Sequence, residues 1–339
     1  MNKKEHLNRL LNRTSDTNGF WHGHPHPDSM KLYQPYFKVE NDYELSKKLD
    51  DTFVWIMPDA HHCWQHPEGV PMFDIMGGRE KHSLNEGGVF AECEDLSEVE
   101  KFHWPDPAHL DFSETIQAVK KASLEGQGIL SGMWSPFFHN AADFFGMDNY
   151  FVKMYTDPQI VDAVTEHIVS FYLEANEQLF SAISQDIDAI FFGNDFGSQL
   201  DLLVSPELFE RFVLPYFVRF TRQAQKHGLK VVLHSCGAID RAIPYLIDAG
   251  VDALHPIQAL ARNMSADELA RKYNGDITFI GGVDTQQLLT FGTPQQVRDE
   301  VHRLRDLFGP SFIVSPSHEA LLPNVSPENL EAMAEAAFD

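Results

Sequence analysis

The sequence predicts an α/β fold, a (β/α)8 TIM barrel with a segment inserted between its second and third strands. The chain has 339 residues, of which 43% are hydrophobic and 22% charged, enough for one large core. Short apolar runs alternate with helical patterns, as in parallel sheets covered by helices. Eight such runs can be counted, and eight parallel strands close into a barrel. We therefore expect a single domain over residues 1–339.

Each predicted strand ends in small or polar residues. The eight strands are expected at 19–21, 53–57, 128–130, 189–192, 230–233, 253–254, 277–280 and 312–314. Helices are expected between them. Ser205-Pro206-Glu207 combines a capping hydroxyl, a first-turn proline and an acid, which predicts a helix that continues through residue 227 and stops before Gly228. Thr293-Pro294 and Ser326-Pro327 open further helices in the same way.

Two segments lie outside this alternation. Residues 1–17 are expected to form a leading helix. Residues 60–125 separate the second and third predicted strands and are too long for a simple connection. Within them, residues 73–78 and 87–92 resemble short strands around a turn, so we expect an antiparallel hairpin that forms a flap over the barrel mouth.

The composition excludes several classes of protein. The chain carries 26 Lys and Arg against 50 Asp and Glu, a formal charge of −24, which argues against binding nucleic acid or a polyanionic substrate. Three cysteines are too few for a disulfide framework and fit a reducing compartment. The N-terminal residues lack the apolar run of a signal peptide, and no run of about 18 apolar residues could cross a membrane. We expect a soluble cytoplasmic protein, with oligomerisation left open.

Polar residues recur where the predicted strands end, which is where barrels of this kind carry their chemistry. A single such residue is more often a solvated loop residue, but the recurrence in successive units favours a site. The candidates are His22, His24, Asp59, Asp195, His234, Cys236, Gln258, Asp284, His318 and Glu319.

The sharpest of these candidates is His234-Ser235-Cys236 at the end of the fifth predicted strand. Residues i and i+2 of a strand project on the same side, so the imidazole and the thiol can converge. A nitrogen and a thiolate favour zinc over magnesium or calcium. His318, after the eighth strand, can supply a third ligand and leave one position open. The structural alternative is a buried cysteine that packs as a small hydrophobic side chain.

A competing metal site is the pair His22 and His24, which resembles the HxH pair of metal-dependent amidohydrolases. That site needs further ligands, commonly a lysine or another acid at the end of the fourth strand. The fourth predicted strand ends in Asn194-Asp195 and offers no lysine. These histidines are otherwise assigned to substrate contacts or to loop structure.

The second half of the chain resembles the uroporphyrinogen decarboxylase superfamily, in particular its branch of cobalamin-dependent methyltransferases. This family fold is a (β/α)8 barrel. The resemblance covers residues 188–339 and is weaker in the first half. It rests on these segments: 193–199, 205–207 with Pro215, 234–237, 281–286, 292–294 and 327–329, with 19–22 and 104–107 in the first half.

The superfamily contains two chemistries. Its decarboxylases need no cofactor and carry an arginine-rich motif of the form RQAGR after the first strand. Residues 21–26 read WHGHPH at that place, and no arginine occurs between Arg13 and Arg79. Because a polycarboxylate is held by bidentate guanidinium groups, uroporphyrinogen itself is a poor match.

The methyltransferases bind zinc through a His-x-Cys pair and a later cysteine. His234 and Cys236 match the pair, whereas His318 stands in the segment Ser315-Pro316-Ser317-His318 where that cysteine is expected. The resemblance then implies that zinc holds a small thiol, or a methylated small molecule, and that a corrinoid carries the methyl group, on a partner corrinoid-binding protein. Expected substrate contacts or catalytic groups are Asp195, Asp284, Gln199, Gln258, Glu319, His22 and His24.

Two alternatives stay open. One is a metal-free decarboxylase-like enzyme that acts on a substrate other than uroporphyrinogen, with Asp59 as a general acid. The other is a non-catalytic barrel that binds a tetrapyrrole or a corrinoid.

Overall fold

The computed structural model of the chain describes residues 2–80, 83 and 86–339 and contains the predicted barrel. Eight parallel strands run in the ring order β1-β9-β8-β7-β6-β5-β4-β3. The Thr52 backbone N–H donates to the Phe20 carbonyl at 2.8 Å and joins β3 to β1. The barrel strands are β1 (Gly19–Phe20), β3 (Phe53–Ile56), β4 (Gly128–Ser131), β5 (Ala189–Gly193), β6 (Lys230–His234), β7 (Ala253–Ile257), β8 (Thr278–Val283) and β9 (Ile313–Pro316). The fold class is confirmed.

A second, two-stranded parallel sheet lies beyond the barrel and ties together the loops that follow β1 and β9. It consists of β2 (His24–Pro25) and β10 (Ala320–Leu321). The His24 N–H donates to the Glu319 carbonyl at 2.6 Å. Gly23 has a φ of 94°, and a Cβ there would come within 2.7 Å of that same carbonyl oxygen. Glycine at position 23 therefore permits the close approach that fixes Glu319.

Helices cover the barrel and carry the predicted end signals. The Ser205 hydroxyl accepts from the Leu208 N–H, and Thr293 forms a capping box with Gln296. The helices are α1 (Lys3–Leu11), α2 (Pro27–Phe37), α3 (Asp42–Lys48), α4 (Ala60–Cys63), α5 (Leu96–Lys101), α6 (Ser113–Leu124), α7 (Phe137–Phe145), α8 (Met147–Thr156), α9 (Pro158–Ile183), α10 (Pro206–Phe212), α11 (Leu214–Lys226), α12 (Ile243–Asp248), α13 (Ala266–Tyr273), α14 (Leu288–Phe291), α15 (Pro294–Phe308) and α16 (Pro327–Ala336), with a 3-10 turn at Pro107–His109.

Two predicted helices have different bounds. The leading helix covers Lys3–Leu11 rather than residues 1–17, because Arg13 adopts a left-handed φ of 58° that a helix does not continue through. The helix expected from residue 205 to 227 is divided into α10 and α11 at Val213. Pro215 lacks the N–H that would donate to residue 211, so an unbroken helix loses a hydrogen bond there.

Residues 73–78 and 87–92 are turns rather than the two predicted short strands. Gly77 and Gly78 have φ values of 61° and 76°, and the Asp74 carboxylate accepts from the Gly78 N–H at 2.8 Å, so the chain curls before a strand can extend. One backbone bond joins the described parts of the segments, from Val89 N–H to the Ile75 carbonyl. Residues 81, 82, 84 and 85 of the expected hairpin lie outside the described residues. A flap function of the insertion stays a prediction.

The barrel interior is apolar at one end and polar at the other. Leu7 and Leu10 of α1 are fully buried against interior side chains such as Phe53 and Ile280 and close the N-terminal end. The polar residues gather at the opposite, C-terminal end of the strands. In the part of the chain that the structure describes, no helix is both long and apolar enough to span a bilayer.

Candidate metal centre and adjoining cavity

Side chains from three strand ends converge on the Cys236 sulfur. Asp195 follows β5, His234 ends β6, and His318 and Glu319 follow β9. The Cys236 sulfur belongs to two groups of donor atoms, and within each group all donor atoms lie within 4.8 Å of one another. Asp195 and His234 complete the first group, and His318 and Glu319 complete the second. The structure thus brings together the three predicted zinc ligands and two neighbouring carboxylates at the barrel mouth.

Backbone packing places Cys236 at this point. A Cβ on Gly237, whose φ is 90°, would lie 2.3 Å from the Gly197 carbonyl oxygen, so only glycine lets the loops after β5 and β6 touch. The Ala238 N–H donates to the Ser198 carbonyl at 2.7 Å across this contact. The buried Gln258 side chain accepts from the Gly237 N–H at 2.6 Å. Gln258, predicted to contact substrate, here fixes the loop that carries Cys236.

The first donor set is compact. The His234 Nε2 atom lies 3.4 Å from the Cys236 Sγ atom and 3.3 Å from the Asp195 Oδ1 atom. Asp195 Oδ1 also accepts from the Cys236 backbone N–H at 2.7 Å. Zinc–sulfur and zinc–nitrogen bonds at tetrahedral angles separate their ligand atoms by about 3.6 Å, close to the observed nitrogen–sulfur distance. The donor types and their spacing therefore fit zinc.

The second donor set shares the same sulfur. His318 Nδ1 lies 3.2 Å from Glu319 Oε2, which in turn lies 3.5 Å from His234 Nδ1. The His234 and His318 ring centroids are 6.4 Å apart, with the rings nearly perpendicular. Cys236 is therefore the corner shared by two ligand sets, and not a member of one closed triad.

The ionisation of the cluster favours a thiolate. Burial opposes charge on Cys236, but hydrogen bonds from His234 and His318 outweigh it and lower the pKa of the thiol. Burial likewise opposes charge on His234, yet Asp195, Cys236 and Glu319 raise its pKa to about 10. Despite burial, the neighbouring His234 lowers the pKa of Asp195 to about 2.

His255 belongs to the site although the sequence analysis assigned it no role. It is fully buried in the middle of β7, and its Nδ1 atom lies 3.0 Å from His234 Nδ1. One of these two nitrogens must donate. If His234 Nε2 is to bind a metal, its Nδ1 carries the proton and donates to His255. The His255 Nε2 atom has no hydrogen-bond partner among the described residues. The signal was present in the sequence as a histidine just before a strand end.

The remaining mouth residues behave differently. The Asp284 carboxylate accepts from the backbone N–H groups of Gln286, Gln287 and Leu288 at 2.8 to 3.1 Å. Gln199 is exposed in the loop after β5, and its carbonyl accepts from the Arg262 N–H at 3.0 Å. The structure therefore brings neither side chain into contact with the Cys236 cluster.

His22 follows β1, across the ring from β6, and lies in a fully occupied network. Its Nδ1 atom lies 2.6 Å from Asp51 Oδ2, and its Nε2 atom lies 2.9 Å from Asp42 Oδ1. Burial would lower the pKa of His22, but the two carboxylates raise it to about 10. Both nitrogens of His22 thus face carboxylates at hydrogen-bond distance, and neither is directed at a cysteine or at a second histidine. The HxH alternative is therefore not supported at His22 in this arrangement.

A cavity of about 900 Å³ opens next to His22. Its wall includes Trp55, Ile56 and Met57 at the end of β3, and also Asp59 and His24. The His24 ring lies 6.0 Å from that of Trp55, and the Asp59 side chain is 54% exposed. Trp134 bridges the two regions, because its ring lies 5.3 Å from Trp55 and 5.2 Å from His234. The cavity thus adjoins the Cys236 cluster across one aromatic ring.

Comparison with known proteins identifies the family. Residues 73–339 match the family model described as uroporphyrinogen decarboxylase (URO-D). The chain belongs to the uroporphyrinogen decarboxylase family. A solved structure of a methyltransferase from Methanosarcina mazei superposes with a TM-score of 0.65 over 99% of this chain and 98% of that one, at 15% identity. That likeness confirms the barrel fold of this family member.

Curated relatives of this family member include both chemistries. A methylated-thiol–coenzyme M methyltransferase of Methanosarcina mazei is 27% identical over 169 residues, 47% of this chain and 40% of the relative. A uroporphyrinogen decarboxylase of Xylella fastidiosa is 23% identical, covering 52% and 48%. A methylcobamide:CoM methyltransferase of Methanosarcina acetivorans is 22% identical, covering 57% and 54%. The matched region spans about half the length of these relatives.

Proposed function

We propose that this protein is an enzyme, a zinc-dependent methyltransferase that moves a methyl group between a corrinoid and a zinc-bound thiol. The observation that carries the proposal is the convergence of His234, Cys236 and His318 at the open end of the barrel. Two relatives are methyltransferases by name, and one of those names contains methylcobamide. A corrinoid carried by a partner protein follows as part of the same proposal.

Individual residues of the cluster have distinct roles in this proposal. His234, Cys236 and His318 would hold zinc, with Asp195 or Glu319 as a further oxygen donor. Bound zinc supplies a Lewis acid that keeps a substrate thiol deprotonated near neutral pH. The chain's own imidazole neighbours, His234 and His318, lower the pKa of the Cys236 thiol and so favour its thiolate form. Asp195 holds the Cys236 backbone and faces His234, which orients both side chains toward one point.

The neutral ligand at position 318 has a chemical consequence. A thiolate there would add a second negative sulfur to the donor set, whereas His318 adds none. We therefore expect stronger acidification of a bound thiol and a less nucleophilic bound sulfur than in a site with two cysteines.

Metal analysis and zinc titration test the proposal. The purified protein should hold about one zinc per chain. Cys236→Ser should weaken zinc binding by more than about 100-fold, because loss of an outer-shell partner alone costs about 10- to 100-fold. Cys93→Ser is the matched control, since the Cys93 thiol belongs to neither donor set and donates to the nearby Asp95 carbonyl at 3.5 Å. A folded protein free of zinc, or unchanged zinc content in Cys236→Ser, would overturn the proposal.

Methyl transfer from methylcobalamin to small thiols, followed by corrinoid absorbance, tests the activity. Transfer should stop on chelation and return with zinc. The decarboxylase alternative is favoured by the Xylella fastidiosa relative and predicts carbon dioxide release that survives chelation and falls in Asp59→Asn. Cobalamin binding without any turnover would instead indicate the non-catalytic barrel.

A further inference from the structure

The cavity beside His22 has an unusual combination of charge and apolar wall. Four carboxylates line it, those of Asp42, Glu44, Asp51 and Asp59. Among the residues that the structure describes, Lys121 is the one lysine or arginine on the wall. Counting Lys121 and His22, which lies between two carboxylates, the wall has two positive charges against four negative ones. The cavity is therefore electronegative.

The His22 network concentrates this charge at the cavity surface. Asp51 is 1% exposed and shares a 2.6 Å contact with His22, so these two opposite charges balance inside the protein. Asp42 binds the other nitrogen of the same imidazolium, but its side chain is 43% exposed. His22, Asp51 and Asp42 together carry one net negative charge. Asp42 is the member of the three whose carboxylate is exposed to the cavity.

One side of the wall is aromatic and aliphatic. The indoles of Trp21 and Trp55 meet at 84° with centroids 6.2 Å apart, and Ile56 and Met57 extend the same side. Indole faces attract organic cations through their quadrupole. A methylated onium group donates few or no hydrogen bonds, so contact with the apolar side of the wall costs it less hydration than it costs a primary ammonium.

We propose that this cavity binds a small organic cation whose charge lies on a methylated nitrogen or sulfur. The cavity volume of about 900 Å³ suits a small molecule. The negative charge of the wall disfavours a polycarboxylate. This inference deepens the proposed function, because it gives the class of methylated substrate. Binding of the cation itself requires neither zinc nor a corrinoid.

Calorimetric titration of the metal-free 339-residue chain tests this binding. The probes are choline, its sulfonium analogue (2-hydroxyethyl)dimethylsulfonium, and the neutral carbon isostere 3,3-dimethyl-1-butanol. We expect the charged probes to bind at least about 10-fold more tightly than the isostere. The ratio between choline and the sulfonium identifies the preferred onium. Equal affinity for the neutral isostere, or no binding of either cation, would overturn the inference.

Two variants of opposite sign locate the site. Asp59→Asn should weaken choline binding about 3-fold or more, and Lys121→Gln should strengthen it by a similar factor, because each changes the wall charge by one. Both side chains lie at the surface, so neither change should disturb folding. Glu174→Gln, an exposed acid on α9 away from the wall, is the matched control. Choline binding that is insensitive to both wall variants contradicts the inference. Zinc content is measured separately, so a failure of the cation-binding inference can be told apart from a failure of the proposed function.

Discussion

Two histidines at opposite sides of the same barrel mouth, His22 and His234, illustrate how similar chemistry is put to different uses. Both are buried, and neighbouring groups raise the pKa of each to about 10. His22 has both nitrogens bound to carboxylates from its own side of the barrel, Asp51 and Asp42. His234 instead directs Nε2 at a thiol and leaves its other nitrogen to a second histidine. The hydrogen bonds of His22 are all made within the protein, so its network stabilises the fold. The His234 network ends in a thiol and other groups that can bind a metal, so it remains available for a ligand.

The largest expected effect comes from breaking the saturated network. His22→Gln leaves Asp51 buried without its imidazolium, and loss of one partner of a buried ion pair costs about 3–5 kcal/mol. Zinc content per folded chain should not change, because the His22 side chain bonds to Asp51 and Asp42 and, among the described residues, to none of the Cys236 donors. Urea unfolding with metal analysis of the folded fraction measures both. Loss of zinc together with stability would mean that the two regions are not independent.

The pH dependence of the same variant sharpens the comparison. A histidine whose pKa rises from 6.5 in the unfolded chain to about 10 in the folded one contributes its full stability below pH 6.5. That contribution is lost as the pH rises through 10. The wild-type free energy of unfolding should therefore fall between pH 6.5 and 10 more steeply than that of His22→Gln, measured on metal-free protein. Parallel profiles would show that His22 is not charged in the folded state.

A smaller effect is expected from the histidine behind His234. His255→Phe keeps the ring volume among Trp21 and Phe191 but removes the acceptor for His234 Nδ1–H. Zinc affinity should fall about 10-fold, at the low end for an outer-shell partner, because Glu319 Oε2 lies 3.5 Å away and can accept instead. Chelator competition gives the affinity, and nitrogen-15 NMR of the imidazoles reports the His234 tautomer.

The control for this change is His167→Phe on α9, where the ring stacks on Trp104 at 4.6 Å. It should leave both zinc affinity and the His234 tautomer unchanged. Unaltered zinc binding in His255→Phe would show that Glu319 alone orients His234, and that the 3.0 Å contact between the histidines has no role in ligation.

The contrast between the two regions also explains what the sequence predicted. The ends of the strands follow from short apolar runs. The two-residue period of a strand predicted that His234 and Cys236 converge, but β6 ends at His234, and the contacts of Gly237 with Gln258 and Gly197 place Cys236 beside it. The partners of His22 come from α3 and from the residue before Thr52, so only the tertiary structure joins them. His255 directly follows the predicted strand end at residue 254, but the sequence shows neither its complete burial nor its contact with His234, and β7 in fact continues to Ile257. The turns at Gly77 and Gly78 depend on backbone angles that an apolar pattern does not reveal.

The smallest expected effect concerns Asp284, which was predicted to be catalytic from its place after β8. Its carboxylate accepts from three successive backbone N–H groups that lead into α14, and removal of such a cap costs about 1 kcal/mol. Asp284→Ala should lower the free energy of unfolding by that amount without changing zinc affinity. Asp284→Asn keeps one oxygen acceptor and should restore most of the stability. If methyl transfer falls in Asp284→Asn while its stability stays normal, the carboxylate charge serves the reaction. If transfer persists, Asp284 only shapes its loop, and the groups that serve the reaction lie at other strand ends, such as those of β5, β6 and β9.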